Sequence, residues 1–138
     1  MRTFKSIEKV IKRTPIVKHI DLNDGEEPIK LTINPSEDVK EKILEIIVNN
    51  TSEENEEKLS VIDLEKKEVF IPITQMITDI KLEKEEEDSF MEYLFKDPSP
   101  EGIMLREDII KTINKIIDDI QKDIDENIEE TNNKLNNI

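Results

Sequence analysis

The stretch SPEGIMLREDIIKTINKIIDDI, residues 99–120, indicates the fold class more clearly than any other part of the chain. Ser99 before Pro100 is a helix start signal, because serine caps helices and proline suits the first helical position. No proline or glycine follows Gly102, so about 35 residues can form one C-terminal helix. Its apolar stripe is wide at first, as a core requires, and later narrow enough for a single partner or none. The stripe comprises Ile109, Ile110, Ile113, Ile116, Ile117, Ile120, Ile124, Ile128, Leu135 and Ile138.

The N-terminal half predicts a short helix, a β-hairpin and a second helix. Thr3 can cap a helix that ends before Pro15. Alternating apolar residues in 16–22 and 29–33 flank an Asn-Asp-Gly turn signal, which is typical of a hairpin. Ser36 then caps a helix that extends to about residue 50. The polar, acidic stretch 51–57 predicts a loop that could act as a hinge.

The centre of the chain is less clear. Residues 58–71 fit either a strand or a helix, and Pro72 disfavours a helix that passes through it. A helix is therefore expected to begin near Pro72, with a further short helix over about 86–96. The apolar face of the first of these helices comprises Ile73, Met76, Ile77 and Ile80.

Together these elements predict a mostly helical α+β fold, with an N-terminal β-hairpin, a helical bundle and a long C-terminal helix. We expect a single domain overall, organised as residues 1–50, the acidic loop 51–57 and the helical part 58–138. With 35% hydrophobic and 39% charged residues, part of the chain should pack while part remains a solvated helix or tail.

The charge is unevenly distributed and argues against nucleic acid as a partner. The net charge is −14, yet residues 1–20 carry six cations against Glu8 alone, a local +5, which leaves −19 on the other 118 residues. An acidic body cannot neutralise phosphates, and the basic first helix is as easily a solvated face or an internal partner for the acidic body. No apolar run resembles a secretion signal or a membrane span. We therefore expect a cytoplasmic protein with no membrane partner.

No motif predicts catalysis, a cofactor or a metal site. DLNDGEE at 21–27 departs from the order of a calcium loop, because Gly25 is fifth rather than sixth. His19 is the only histidine, and there is no cysteine to join it. Two glycines cannot build a phosphate-binding loop. The acidic runs are of the kind that is normally solvated, so we expect a protein that is not an enzyme.

An aromatic cluster follows an acidic run in EKEEEDSFMEYLF, residues 83–95. One interpretation places Phe90, Tyr93 and Leu94 over the neighbouring helices as core. The other leaves Phe95 and Met91 at the surface as a binding patch with an acidic border, an arrangement that transient interfaces use.

The order of these signals resembles the tail assembly chaperones of long-tailed bacteriophages from low-GC Gram-positive hosts. The resemblance rests on Ile77-Thr78-Asp79-Ile80, the acidic residues Glu83 to Asp88, the aromatic helix Phe90 to Phe95, Asp97-Pro98-Ser99-Pro100, and the charged helix Ile109 to Ile124. The hairpin VKHIDLNDGEEPIKLTI also resembles the opening of such proteins.

The resemblance implies a protein that binds the tail tube or tape measure protein in the host cytoplasm and is absent from the finished tail. The residues expected to support that binding surface are Ile77, Ile80, Phe90, Met91, Tyr93, Leu94 and Phe95. Homo-oligomers are possible. Two alternatives stay open. One is a structural adaptor or coiled-coil component retained in the virion, and the other is an acidic inhibitor that mimics nucleic acid and depends on Glu83–Asp88.

Overall fold

The computed structural model describes residues 2–50 and 63–136. In chain order the elements are α1 (Phe4–Ile11), β1 (Val17–Ile20), β2 (Ile29–Thr32), α2 (Glu37–Asn49), α3 (Lys67–Ile77), α4 (Glu87–Phe95) and α5 (Pro100–Asn136), with a 3-10 turn (Lys84–Glu86) before α4. The mostly helical α+β fold with an N-terminal hairpin and a long C-terminal helix is confirmed. The predicted acidic loop at 51–57 and the stretch 58–62 lie outside the described residues.

The core lies among α2, α3, α4 and α5, and the hairpin covers one part of it. α3 packs on α2 and α4, and α5 packs on the same two helices. α3 supplies a large share of this core, because five of its eleven residues are buried apolar side chains. The buried apolar residues are Ile20, Leu31, Ile43, Ile47, Val69, Phe70, Ile71, Ile73, Ile77, Leu94, Leu105, Ile109, Ile113, Ile116, Ile117 and Ile120.

The helix start signals act as predicted. Thr3 accepts a hydrogen bond from the Ser6 amide, and Ser36 accepts one from the Val39 amide. At α5 the Ser99 hydroxyl accepts from the Gly102 amide at 3.0 Å. Within residues 2–50 and 63–136, no helix has the length and apolar character needed to cross a membrane.

The hairpin is attached to the bundle through the end of α3. β1 and β2 are antiparallel, with Val17 opposite Thr32 and Ile20 opposite Ile29. Asp79 extends this sheet, because its amide donates to the Lys30 carbonyl at 3.2 Å and its carboxylate accepts from the Lys30 amide at 3.0 Å. The Thr-Asp pair of the Ile-Thr-Asp-Ile element therefore ends α3 and fastens it to β2.

The expectation that a helix begins near Pro72 is wrong. α3 starts at Lys67, and Pro72 lies inside it. An interior proline costs about 3 kcal/mol, partly because it cannot donate to the carbonyl four residues earlier. That carbonyl belongs to Glu68, an exposed residue. Burial of an aliphatic or aromatic side chain gains about 1.5–3 kcal/mol, so the five buried apolar residues of α3 outweigh the proline penalty.

Candidate protein-binding surface

The aromatic cluster of α4 is organised by Phe70 of α3. Phe70 is fully buried. The Phe95 ring meets it edge-on with centroids 5.0 Å apart, and the Phe90 ring lies tilted at 6.3 Å. Edge-to-face geometry is favourable for aromatic pairs. Phe70 therefore fixes one face of α4 against α3, while another face packs on α5.

Arg106 of α5 caps the C-terminal end of α4. Its Nη1 donates to the Leu94 carbonyl at 2.9 Å, which satisfies one of the unpaired carbonyls of the last helical turn. Its guanidinium carbon lies 5.9 Å from the Phe95 ring centroid, within the range of a cation–π contact. The Phe95 ring is thus held from two sides, by Phe70 and by Arg106.

The acidic run before α4 has a structural role. Glu83 and Glu86 form a capping box, in which each side chain accepts a hydrogen bond from the backbone of the other residue. Glu87 and Asp88 occupy the first turn of α4, where negative charge is favourable. Lys67 donates to Asp88 at 3.0 Å, and this hydrogen bond and the carboxylate charge raise the pKa of Lys67 above its usual value.

A cleft of about 420 Å³ lies along one side of α4. We call it the acidic cleft. It is lined by Glu65, Asp88, Met91, Glu92, Phe95 and Lys96. Met91 and Phe95 are half-buried and offer the apolar part of the lining. Asp88 is paired with Lys67, which leaves the carboxylates of Glu65 and Glu92 against Lys96. The cleft therefore combines apolar side chains with a small excess of negative charge.

A second apolar exposure lies where α4 meets α5. The exposed fractions are 63% for Tyr93, 41% for Ile103 and 37% for Met104. Gly102 allows the two helices to approach here, since a Cβ at this position would lie 3.2 Å from the Tyr93 carbonyl oxygen. Because the Tyr93 side chain is mostly exposed, it does not cover the core, in contrast to the first interpretation of the aromatic cluster.

The other residues expected to support binding differ in how far their side chains are exposed to solvent. Ile77 and Leu94 are core residues at 1% and 3% exposure, so they can support the surface only from beneath. Ile80, Phe90, Met91 and Phe95 are half-buried, and of these Met91 and Phe95 line the acidic cleft.

Phe70 and Arg106 were missed by the sequence analysis. A signal for Phe70 existed, because it precedes Ile73 by three residues and Ile77 by seven, which is helical spacing. The expected break at Pro72 concealed it. Nothing local marks the contact of Arg106 with α4, since Leu94 and Phe95 lie on another helix.

No group of three or more histidine, cysteine, aspartate or glutamate side chains in the described part of the chain could hold a metal ion. His19 lies exposed on β1. No protein-family model, curated protein or solved structure matches the chain.

Proposed function

We propose that this protein is a bacteriophage tail assembly chaperone that binds the tail tube or tape measure protein stoichiometrically and is absent from the finished tail. The observation that supports this proposal best is the acidic cleft, where Met91 and Phe95 lie between the carboxylates of Glu65, Asp88 and Glu92. Tyr93, exposed on another face of α4, extends the apolar surface offered to a client.

This arrangement suits the task of holding a polymerising subunit. Apolar contacts cover the part of the client that would otherwise bind its neighbour, because apolar burial supplies most of the driving force in association. The net charge of −14 then keeps the complex soluble. The order of sequence signals shared with tail assembly chaperones supports the same function.

Co-expression with the tail tube protein of the same genome tests the proposal. We expect a soluble complex of defined stoichiometry in size-exclusion chromatography with light scattering, under conditions in which the tube protein alone polymerises or precipitates. The tape measure protein is the second client to try. If both clients behave identically with and without the protein, the proposal fails.

The inhibitor alternative makes a different prediction for the acidic run. Replacing Glu83, Glu85, Glu86 and Glu87 with glutamine and Asp88 with asparagine removes the charge, while glutamine can still serve in the capping box. A chaperone that binds through apolar contacts should retain its client, whereas an inhibitor that mimics nucleic acid should lose its target.

One observation favours the structural adaptor as a second candidate. In the part of α5 whose side chains the structure describes, up to residue 129, Ile120 is the last buried residue and Ile128 is 56% exposed. The helix continues to Asn136, and its 16 residues after Ile120 extend about 24 Å at 1.5 Å per residue, along which a partner helix could pack. Protein identification on purified particles separates the two functions, because an adaptor remains in the virion and a chaperone does not.

A further inference from the structure

α1 has two chemically distinct faces. Phe4, Ile7 and Ile11 recur at helical spacing, with Val10 beside them, and Lys5 and Lys9 lie on the opposite side. Phe4, Val10 and Ile11 are 67%, 78% and 63% exposed, and no residue of α1 is buried. Residues 2–13 carry five cations against Glu8, a net charge of +4. The helix is therefore an amphipathic, basic arm whose apolar face is open.

Residues 12–16, which we call the stem, connect this arm to the hairpin and are hydrogen-bonded to it. The Asn34 side chain accepts from the Ile16 amide at 2.6 Å and donates to the Thr14 carbonyl at 3.1 Å, on either side of Pro15. Proline fixes its own φ angle, so the stem is stiff. The segment after α1 is thus tied to the hairpin, while no side chain of α1 itself is buried against the acidic body of its own chain.

A groove suited to such an arm lies between α2 and α5. Its apolar residues are Leu44, Ile120 and Ile124, in a cleft of about 130 Å³. Its polar lining residues are Glu37, Glu41, Asp123, Lys40 and Asn127. Lys40 pairs with Glu37 at 3.5 Å, which leaves Glu41 and Asp123 as the unbalanced charges of the groove. Exposed Val48 and Ile128 lie one turn beyond Leu44 and Ile124 on the same helices and extend the apolar strip.

We infer that α1 docks in the α2–α5 groove of a second copy of this chain, and that the two copies exchange arms reciprocally. The arm offers apolar side chains beside lysines, and the groove offers Leu44, Ile120 and Ile124 beside carboxylates, so the charges of the two surfaces are complementary. In a two-fold dimer both subunits use the same surfaces, so the arm of each copy would bind the groove of the other. This inference is independent of the proposed function.

Apolar burial and the attraction of opposite charges together would drive this contact. An anionic membrane is the other surface that attracts a basic amphipathic helix, but the −19 carried by the rest of the chain disfavours its approach.

Crosslinking between introduced cysteines tests the inference directly, since the chain has none of its own. Lys9→Cys in the arm and Glu41→Cys at the groove are both at exposed positions. Mixing the two single variants with a short bis-maleimide should give a crosslinked dimer. The control pair, Lys9→Cys with Glu107→Cys on an exposed position of α5, should give several-fold less. An internally crosslinked monomer from the Lys9→Cys/Glu41→Cys double variant, with no dimer from the mixed pair, would show that the arm binds its own groove and would overturn the inference.

Solution mass supplies the second readout. Light scattering of the unmodified chain should approach twice 16.2 kDa as concentration rises. Phe4→Ser/Ile11→Ser should weaken the dimer about tenfold or more, as loss of interface anchors does, whereas Tyr93→Ser/Ile103→Ser should leave it unchanged. A monomer at all concentrations overturns the inference. Sedimentation with phosphatidylserine vesicles would then assign the arm to lipid if the protein pellets with them.

Reversing the charges of the arm and then those of the groove distinguishes a lost contact from an arm that has merely unfolded. Lys5→Glu/Lys9→Glu should abolish the dimer, and adding Glu41→Lys/Asp123→Lys to the same chain should restore it. All four positions are exposed, so the core is not altered. Failure of the restoring substitutions would contradict docking in this groove.

Discussion

Valine in place of Thr74 or Thr78 exchanges a hydroxyl for a methyl at positions one turn apart, and the two changes should shift stability in opposite directions. The Thr74 side chain is fully buried, and its Oγ1 has no hydrogen-bond partner. Burying an unpaired hydroxyl costs about 1–3 kcal/mol. Thr74→Val should therefore raise the free energy of unfolding by roughly 1 kcal/mol once small repacking losses are included.

The Thr78 hydroxyl makes two hydrogen bonds. It donates to the Thr74 carbonyl at 2.7 Å and accepts from the Ile80 amide at 3.2 Å. The Thr74 carbonyl keeps the bond from the Thr78 amide in the variant, but the Ile80 amide loses its acceptor. Because each lost hydrogen bond costs about 0.5–1.5 kcal/mol, Thr78→Val should lower the free energy of unfolding by roughly 1–2 kcal/mol.

Urea unfolding followed by far-UV circular dichroism measures both effects. The midpoint should rise for Thr74→Val and fall for Thr78→Val, with an unchanged dependence of the free energy on urea. The difference between the two variants should be about 2–3 kcal/mol, which is the sum of the two expected changes. Equal losses in both variants, or a lower midpoint for Thr74→Val, would refute the hydrogen-bond assignments on which the prediction rests.

Three further substitutions test other parts of the fold. Phe70→Ala should lower the free energy of unfolding by about 3–5 kcal/mol in the same urea assay, because it empties the site that positions α4; a loss below 1 kcal/mol would contradict that role. Arg106→Gln should cost about 1–2 kcal/mol through the bond to the Leu94 carbonyl and the cation–π contact, and an unchanged midpoint would show that this closure contributes nothing. Asn34→Ala should speed hydrogen exchange at the Ile16 amide at least tenfold while slow core amides keep their rates, and unchanged exchange would mean that the stem is not held by Asn34.

Features set by neighbours within one helical turn were predictable from the sequence. Thr3, Ser36 and Ser99 cap helices because their hydroxyls reach amides three residues away. The hairpin follows from alternation and a turn in which Asn23 and Gly25 adopt positive φ angles. The long C-terminal helix follows from the absence of proline and glycine beyond Gly102.

Features set by distant residues were not predictable. The start of α3 depends on burial against α2 and α4, which outweighs the local effect of Pro72. Which aromatic residue faces solvent depends on Phe70, so Phe95 is held while Tyr93 is left out. The fastening of Asp79 to Lys30 joins residues 49 positions apart, which no local pattern encodes.

The acidic run illustrates how one sequence feature can serve two purposes. Glu83 and Glu86 cap the 3-10 turn that leads into α4, and Glu87 and Asp88 lie in the first turn of α4, which accounts for their positions without reference to any partner. Asp88 also lines the acidic cleft. The acidic residues beside the aromatic cluster therefore stabilise the beginning of a helix, and one of them, Asp88, is also placed to contact a client.

The most direct test of client binding is a titration of the tail tube protein, and then of the tape measure protein, with matched variants of this chain. Met91→Lys places a charge in the acidic cleft, and Asn114→Lys places the same charge on an exposed position of α5 away from that cleft. We expect Met91→Lys to weaken client binding about tenfold or more, as loss of an interface anchor does, and Asn114→Lys to bind as the unmodified chain does. Equal affinities for all three proteins would contradict the cleft as the client site, and no binding by the unmodified chain to either client would contradict the proposed function itself.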